Sequence, residues 1–267
     1  MKLTNYGNTC YFNSALQCLL RVEIISNALI FDTHVCRSVF TVEYQKMVKM
    51  SSSSLPLNIP ILLNIFRTRF ARFDNAHPHD AQEAFVCMLD LLDQDLVDLA
   101  FNGTKVQETV CRSGKKIHHE KFTVDIMTEF SGGGGIAETI ANSHKWTTVH
   151  DYIDDNGNVY NIAATRQTYG VYPNVLAITF AEMNNGQRNV VLSENLVFGN
   201  LSYDLIATCT HVGDTRFGGH YVSLIKKGGG GNSIWALMND TQCIENVEFP
   251  AEARHYLALY MLKNSSC

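Results

Sequence analysis

Asn5-Tyr6-Gly7-Asn8-Thr9-Cys10-Tyr11-Phe12-Asn13-Ser14-Ala15-Leu16-Gln17 sets a single cysteine at the start of a helix. After Cys10, the apolar residues Phe12, Ala15, Leu16, Leu19 and Leu20 recur at helical spacing, a stripe that buries against a core. Asn8 or Thr9 is the expected N-cap, and Gly7 allows a sharp turn just before it. A sulfur at that point meets the positive end of the helix and several free backbone N–H groups, so thiolate is expected to be favoured over thiol. Buried structural cysteines are common, however. What gives Cys10 chemical meaning lies near the other end of the chain.

There, Gly218-Gly219-His220-Tyr221 leads into an alternating apolar run, and a second run, Ile234-Trp235-Ala236-Leu237-Met238, ends in Asn239-Asp240. Two neighbouring antiparallel strands would bring His220 and Asn239 side by side. An imidazole acting as base needs a partner that fixes its tautomer, and Asn or Asp serves. Cysteine first, histidine late and Asn or Asp after it is the chain order of a papain-like thiol protease.

These residues resemble the ubiquitin-specific proteases. Asn5 to Gln17 is similar to that family's Cys box, which runs Asn, spacer, Gly-Asn-Thr-Cys-Tyr, then Asn-Ser and Leu-Gln. Tyr203 to Asp240 resembles its His box, with Gly-Gly-His-Tyr, a later Trp and the Asn-Asp pair. His79-Asp80-Ala81-Gln82-Glu83 resembles its Gln-Gln-Asp-x-x-Glu-Phe motif, with His79 in place of a Gln and Ala84 in place of the Phe. The three segments fall in the family's order across nearly the whole chain. The resemblance implies an α+β, papain-like fold: a helical thumb (1–110), reduced fingers and the start of a palm (111–180), and a sheet-built palm carrying the His box (181–267), all in one catalytic domain.

Composition agrees with a folded enzyme of this size. The 267 residues are 46% hydrophobic and 18% charged, enough for one sizeable core with no dividing linker. A net charge of −5 argues against nucleic-acid or anionic-membrane binding. No apolar run approaches the ~18 residues of a membrane span. Met1 to Asn5 leads directly into the motif, leaving no room for a signal peptide. The eight cysteines are scattered without a disulfide framework, which points to a reducing compartment, cytoplasmic and/or nuclear. A zinc metalloprotease lacks its His-Glu-x-x-His, and a serine hydrolase its Gly-x-Ser-x-Gly elbow.

Along the chain, Val22 to Met50 reads as partly helical, Ser51 to Pro56 as a loop, and His34 and Cys36 as ordinary packing residues. Asp80 opens one long helix, with Ala81, Phe85, Met88, Leu89, Leu92, Leu96 and Leu99 as its stripe and Glu83 completing a capping box. By resemblance, Asp80 and Glu83 also hold the extended tail of ubiquitin; capping alone explains both acids equally well. Where the family carries zinc-binding cysteine pairs, Cys111 stands alone and no cysteine follows before Cys209. A tetrahedral site of the usual kind cannot be built there, so neither metal nor cofactor is expected. Adjacent His118 and His119 on a strand face opposite ways. Phe122 to Ile126 reads as a strand, Ile136 to Thr148 as a helix, and Tyr152 to Tyr160 as a hairpin turning at Asn156-Gly157. Val175 to Phe180 reads as a strand covered on both faces, followed by a turn at Asn185-Gly186 and a returning segment, Asn189 to Leu192. Tyr203 to His211, Tyr221 to Ile225, Ile234 to Met238 and Tyr256 to Leu262 add four strands, and two four-glycine runs read as loops.

What the resemblance implies chemically is hydrolysis of the isopeptide bond after ubiquitin's last glycine. Cys10 is the nucleophile, His220 the base, Asn239 its orienting partner, Asn5 an oxyanion donor beside the Cys10 backbone N–H, and Asp240 the support of that region. For Asn5, a turn-forming role before Gly7 is the competing reading. Gly218 and Gly219 let a diglycine tail pass close to the backbone. His211 and Tyr221 wall the cleft, and Thr215, Arg216 and Phe217 lengthen a loop that would gate it. Partners are ubiquitin and its conjugates, with the protein as a monomer. The alternatives are a catalytically silent ubiquitin-binding module and a protease for a ubiquitin-like modifier.

Overall fold

The computed structural model describes residues 1–31, 33–50, 59–127, 135–180, 189–198, 201–215, 218–228 and 234–263. The expected loop at Ser51 to Pro56, the Asn185-Gly186 turn, most of both glycine runs and Arg216-Phe217 lie outside these.

Helices fill the first part of the chain: α1 (Cys10–Leu19), α2 (Glu23–Ile30), α3 (Val39–Lys49), α4 (Pro60–Arg69), α5 (Ala81–Leu91) and α6 (Gln94–Phe101). Strands follow: β1 (Gly103–Cys111), β2 (Gly114–Phe122) and β3 (Asp125–Met127). After α7 (Ile136–Ser143) come β4 (Thr147–Ile153), β5 (Val159–Val171), β6 (Val175–Phe180), β7 (Val190–Val191) and β8 (Asn195–Phe198). The last are β9 (Leu201–Thr215), β10 (Gly218–Lys227), β11 (Ile234–Asn239), β12 (Gln242–Val247), β13 (Glu252–Ala253) and β14 (His255–Leu262). Helices end at Phe101 and β1 begins at Gly103, so the strand-rich part starts before the residue 111 drawn from sequence.

The palm is an eight-stranded sheet ordered β12-β11-β10-β9-β14-β6-β3, with β8 paired to β9 off that path. Its strands are antiparallel except where β3 runs parallel to β6. A separate four-stranded sheet, β2-β1-β5-β4, makes the fingers.

The burial of β6 explains why its sequence is apolar except at Thr179. Val175 and Ala177 join the core shared with the helices, whereas Leu176, Ile178 and Phe180 join a second core with Ile136 and Ile140 of α7. Side chains alternate across a strand, so a strand covered on both faces leaves little room for polar residues, and Thr179 is its one exception. On the helical side α1 is the central element, with all ten of its residues buried. Its aromatic side chains lock it to the thumb: Phe12 meets Phe66 edge-on at 5.1 Å, and Tyr11 stacks on Phe73 at 5.6 Å. Such pairs add about 0.5–1.5 kcal/mol beyond the area they bury.

Four expectations need correction. The single helix from Asp80 to Leu99 is two, α5 and α6, broken at Leu92-Asp93, and Leu99 is exposed. Asp93 breaks it because its carboxylate is spent elsewhere. Oδ2 accepts from the Arg37 N–H and Oδ1 from the Ser38 N–H, each at 2.8 Å, while His34 Nε2 lies 2.7 Å from Oδ2. A buried carboxylate must be satisfied, and leaving the helix lets Asp93 serve the turn before α3. The run from Phe122 to Ile126 divides between β2 and β3, which belong to different sheets. The helix after Ile136 stops at Ser143, and Thr147 and Thr148 already belong to β4. The segment returning after β6 forms β7, which pairs with β13.

Candidate active site

The turn before α1 is built by one side chain. Asn5 Oδ1 accepts from the Gly7 N–H at 2.9 Å, the Thr9 N–H at 3.3 Å and the Thr9 hydroxyl at 3.2 Å. Gly7 (φ 84°) and Asn8 (φ 51°) are left-handed, where Gly and Asn are tolerated. Thr9 is the N-cap residue, but its hydroxyl caps nothing and instead accepts the Tyr6 N–H at 2.9 Å. Cys10 is consequently presented on the first helical residue.

The sulfur lies against β10. Backbone N–H groups of Tyr221, Tyr11 and Cys10 itself favour its ionised form, but burial outweighs them, and Asp240 adds in the same direction. The Cys10 thiol is therefore held above its ordinary value. This reverses the thiolate expectation: the helix terminus acts as foreseen, but its effect is smaller than the cost of removing a thiolate from water.

β10 and β11 pair from Ser223↔Met238 to Lys227↔Ile234, so His220 and Asn239 share the sheet end just past the last paired rung. His220 Nε2 lies 2.7 Å from Asn239 Oδ1. A carbonyl oxygen can only accept, so Nε2 carries the hydrogen and Nδ1 is left with the lone pair. A bulge in the β9–β10 pairing lies between Gly218 and His220. Nearby, a Cβ on Gly219 would come within 2.2 Å of the His211 ring, and Gly213 is left-handed (φ 141°) with its Cβ position 2.8 Å from the Gly219 Cα. The glycines are thus required by the protein's own packing, whatever else passes over them.

Asp240 sits in the two-residue turn between β11 and β12 with φ 49°. Its Oδ2 accepts from Asn5 Nδ2 and its Oδ1 from Asn13 Nδ2, each at 2.7 Å, and its carbonyl accepts the Leu3 N–H at 2.9 Å. Oδ2 is also 3.8 Å from His220 Nε2. Asn5 therefore fills the turn-forming role considered for it: its oxygen builds the turn before α1, while its nitrogen is tied to Asp240 across the seam.

A cleft of about 180 Å³ opens beside this cluster, lined by Asn8, Cys10, Pro78, His79, Asp80, His211, Gly218, Gly219, Tyr221 and Tyr256. Tyr221 meets both His211 (4.9 Å) and Tyr256 (5.3 Å) edge-on, making one aromatic wall. Asp80 caps α5, its Oδ1 accepting the Gln82 and Glu83 N–H groups at 2.7 and 3.4 Å. Glu83 stands apart from the cleft lining and pairs with Arg72 Nε at 2.7 Å. Burial lowers the His79 pKa, and its ring packs on Tyr11 (5.2 Å) and Phe73 (4.8 Å).

Sequence reasoning gave no role to Tyr256, Pro78 or Asn13. Tyr256 and Pro78 carry no local signal, since only the sheet order and the turn before α5 bring them to the cleft. Asn13 carried only a weak one: with Ser14 and Gln17 it is one of three polar residues in a helix that is buried throughout. Among the described residues, His34, Asp93 and Asp95 form the one group with metal-ligand spacing. Its acceptors are already engaged by His34, Arg37 and Ser38, which makes it a hydrogen-bond junction.

Comparison with known proteins places this arrangement. A fission-yeast protein, probable ubiquitin carboxyl-terminal hydrolase 16 of Schizosaccharomyces pombe, is 23% identical over 99% of this chain and 67% of its own length. Ubiquitin carboxyl-terminal hydrolase 23 of Arabidopsis thaliana is 20% identical over 91% of this chain, which spans only 33% of that protein. Among solved structures, the SAGA DUB module of Ubp8, Sgf11, Sus1 and Sgf73 bound to monoubiquitin superposes with a TM-score of 0.81. The identity there is 19%, covering 98% of this chain and 69% of the other, so the likeness is one of fold. The family profile described as ubiquitin carboxyl-terminal hydrolase matches residues 1–260, and the chain belongs to that family.

Proposed function

We infer that this chain is a cysteine-type deubiquitinase, hydrolysing the isopeptide bond after the C-terminal glycine of ubiquitin. The observation that carries the reading is the His220–Asn239 bond at 2.7 Å, on the same strand whose Tyr221 N–H meets the Cys10 sulfur at the cleft. Because the thiol is held protonated at rest, His220 Nδ1 takes its proton as sulfur attacks the substrate carbonyl. The resulting oxyanion is met by the Cys10 N–H and the Asn5 amide nitrogen. Collapse expels the lysine amine, which takes the proton from His220 and leaves a thioester. Water, deprotonated by the same imidazole, then attacks that thioester, releasing the ubiquitin carboxylate and restoring the thiol.

Asp80 and the aromatic wall of His211 and Tyr221 border the path of the tail. Glu83 reaches an arginine of ubiquitin by exchanging it for Arg72. The partners are ubiquitin and its conjugates, met in a reducing compartment, cytoplasm and/or nucleus. The protein acts as a monomer, unlike the four-protein Ubp8 module it resembles; light scattering at assay concentration checks that.

Covalent capture with ubiquitin and ubiquitin-like propargylamide probes tests the reading. Ubiquitin-probe adduct on Cys10, lost in Cys10→Ala while ubiquitin binding persists, is the expected result. Binding without any adduct in the wild type would make the protein a silent binding module. Preferential capture of another modifier would reassign the substrate.

A further inference from the structure

The two donors on the Asp240 carboxylate are not equivalent. Asn5 belongs to the oxyanion region, but Asn13 lies inside α1, 2% exposed, with no path to substrate. Its Nδ2 donates twice, to Asp240 Oδ1 at 2.7 Å and to the Thr4 carbonyl at 3.3 Å. Its Oδ1 is buried and accepts from no described residue. An orphaned buried acceptor is unfavourable, so this amide is oriented for what its nitrogen holds. What it holds is itself constrained: Asp240 keeps a left-handed backbone that non-glycine residues rarely adopt.

We propose that Asn13 is a positioning residue for the hydrolytic reaction, clamping the Asp240 carboxylate so that Asn5 stays aimed at the oxyanion and His220 stays paired with Asn239. With Oδ1 fixed by Asn13, the carboxylate cannot rotate, and Oδ2 faces Asn5 Nδ2. One Asn5 N–H is then spent on Asp240, and the other is held for substrate. Without the clamp, the carboxylate can turn toward His220 Nε2, now 3.8 Å from Oδ2, and compete with Asn239 for its hydrogen. A charge that shifts during attack is stabilised only by donors already in place, so loosening Asn5 affects the transition state more than substrate binding.

The inference rests on the deubiquitinase reading, and wild-type turnover of a ubiquitin C-terminal fluorogenic amide is the control for that reading. Against it, Asn13→Ser should lower kcat by about tenfold or more, less than the ~10²–10³ of losing an oxyanion donor outright, with little change in KM. Alkylation of Cys10 by iodoacetamide, followed on the Cys10 peptide, forms no oxyanion, and its rate should fall far less than kcat, by only the part owed to a disturbed His220–Asn239 pair. A kcat within about threefold of wild type would overturn the proposal. So would alkylation falling in step with turnover, because that marks a collapsed site. Should Asn13→Ser fail to fold, the exchanged pair Asn13→Asp with Asp240→Asn carries the test, since it keeps the contact with donor and acceptor reversed. It should turn over faster than Asp240→Asn alone, by about tenfold, and no gain would overturn the clamp.

Discussion

The catalytic seam and the fingers sheet are held together by different physics. Across the seam, Leu3, Asn5 and Asn13 bond to Asp240, more than 220 positions away in the chain, and Leu3 and Asn13 are almost wholly buried. In the fingers, β2 is exposed along nearly its whole length, and charged groups tie the strands: Glu108 takes both Lys115 and Arg166, and Arg166 lies 4.7 Å over Trp146. Glu108 is itself buried, but Lys115 and Arg166 are 49% and 35% exposed, and ion pairs open to solvent on one side are weakened by water and salt. Buried amide–carboxylate bonds fix direction and are costly to lose. Accuracy is concentrated where a proton must be moved, and the periphery keeps a looser surface.

Substitutions can break this contrast, and the largest effect belongs to the seam. His220→Ala should lower kcat by about 10²–10⁴, the usual range for losing a positioned base, with folding unchanged by thermal melting. Turnover near wild type would mean that the seam is not the site of chemistry. Next, Phe66→Ala, beneath α1 and in contact with Phe12 and Phe73, should cost about 3–5 kcal/mol in urea unfolding.

Asp93 offers a smaller effect with a sign fixed by pH. Burial alone would raise its carboxyl, but bonds from His34, Arg37 and Ser38 hold it below the usual range. The folded state thus binds fewer protons, so this contribution is full above the ordinary carboxyl value near ~4 and drains away as pH falls through the lower folded value. Asp93→Asn should cost about 2 kcal/mol at pH 7, the scale of charge-assisted hydrogen bonds, and the gap from wild type should narrow as pH falls below the ordinary carboxyl value of ~4. A gap independent of pH would show that the loop does not depend on the charge. Smallest, Ile162→Ser in the fingers, at a side chain 62% exposed, should stay within about 0.5 kcal/mol of wild type. A larger loss there would erase the difference between the two regions.

The same contrast governs what could be read from sequence. The meeting of His220 with Asn239, and the place of Cys10 at a helix start beside the cleft, were legible because each sits in a segment whose residue types also fix the backbone. β6 was legible because two covered faces leave a run apolar at every position but Thr179. The α5–α6 break was not, since Asp93 leaves the helix for partners more than fifty positions earlier. Nor was the upward pull on the Cys10 thiol pKa, which comes from how deeply Cys10 is buried, a property of the assembled core rather than of its neighbours in the chain. Asn13 was visible only as one of several polar residues in α1, and only the turn holding Asp240 distinguishes it.

The final strand has a consequence for synthesis on the ribosome. β14 lies in the interior of the palm, between β9 and β6, and not at its rim. A nascent chain that has already exposed its cysteine still has a split sheet, with β9 and β6 each lacking a neighbour until His255 to Leu262 emerge. Any product that stops before His255 therefore leaves β9 and β6, and the His220 strand beyond β9, without the neighbour that joins them.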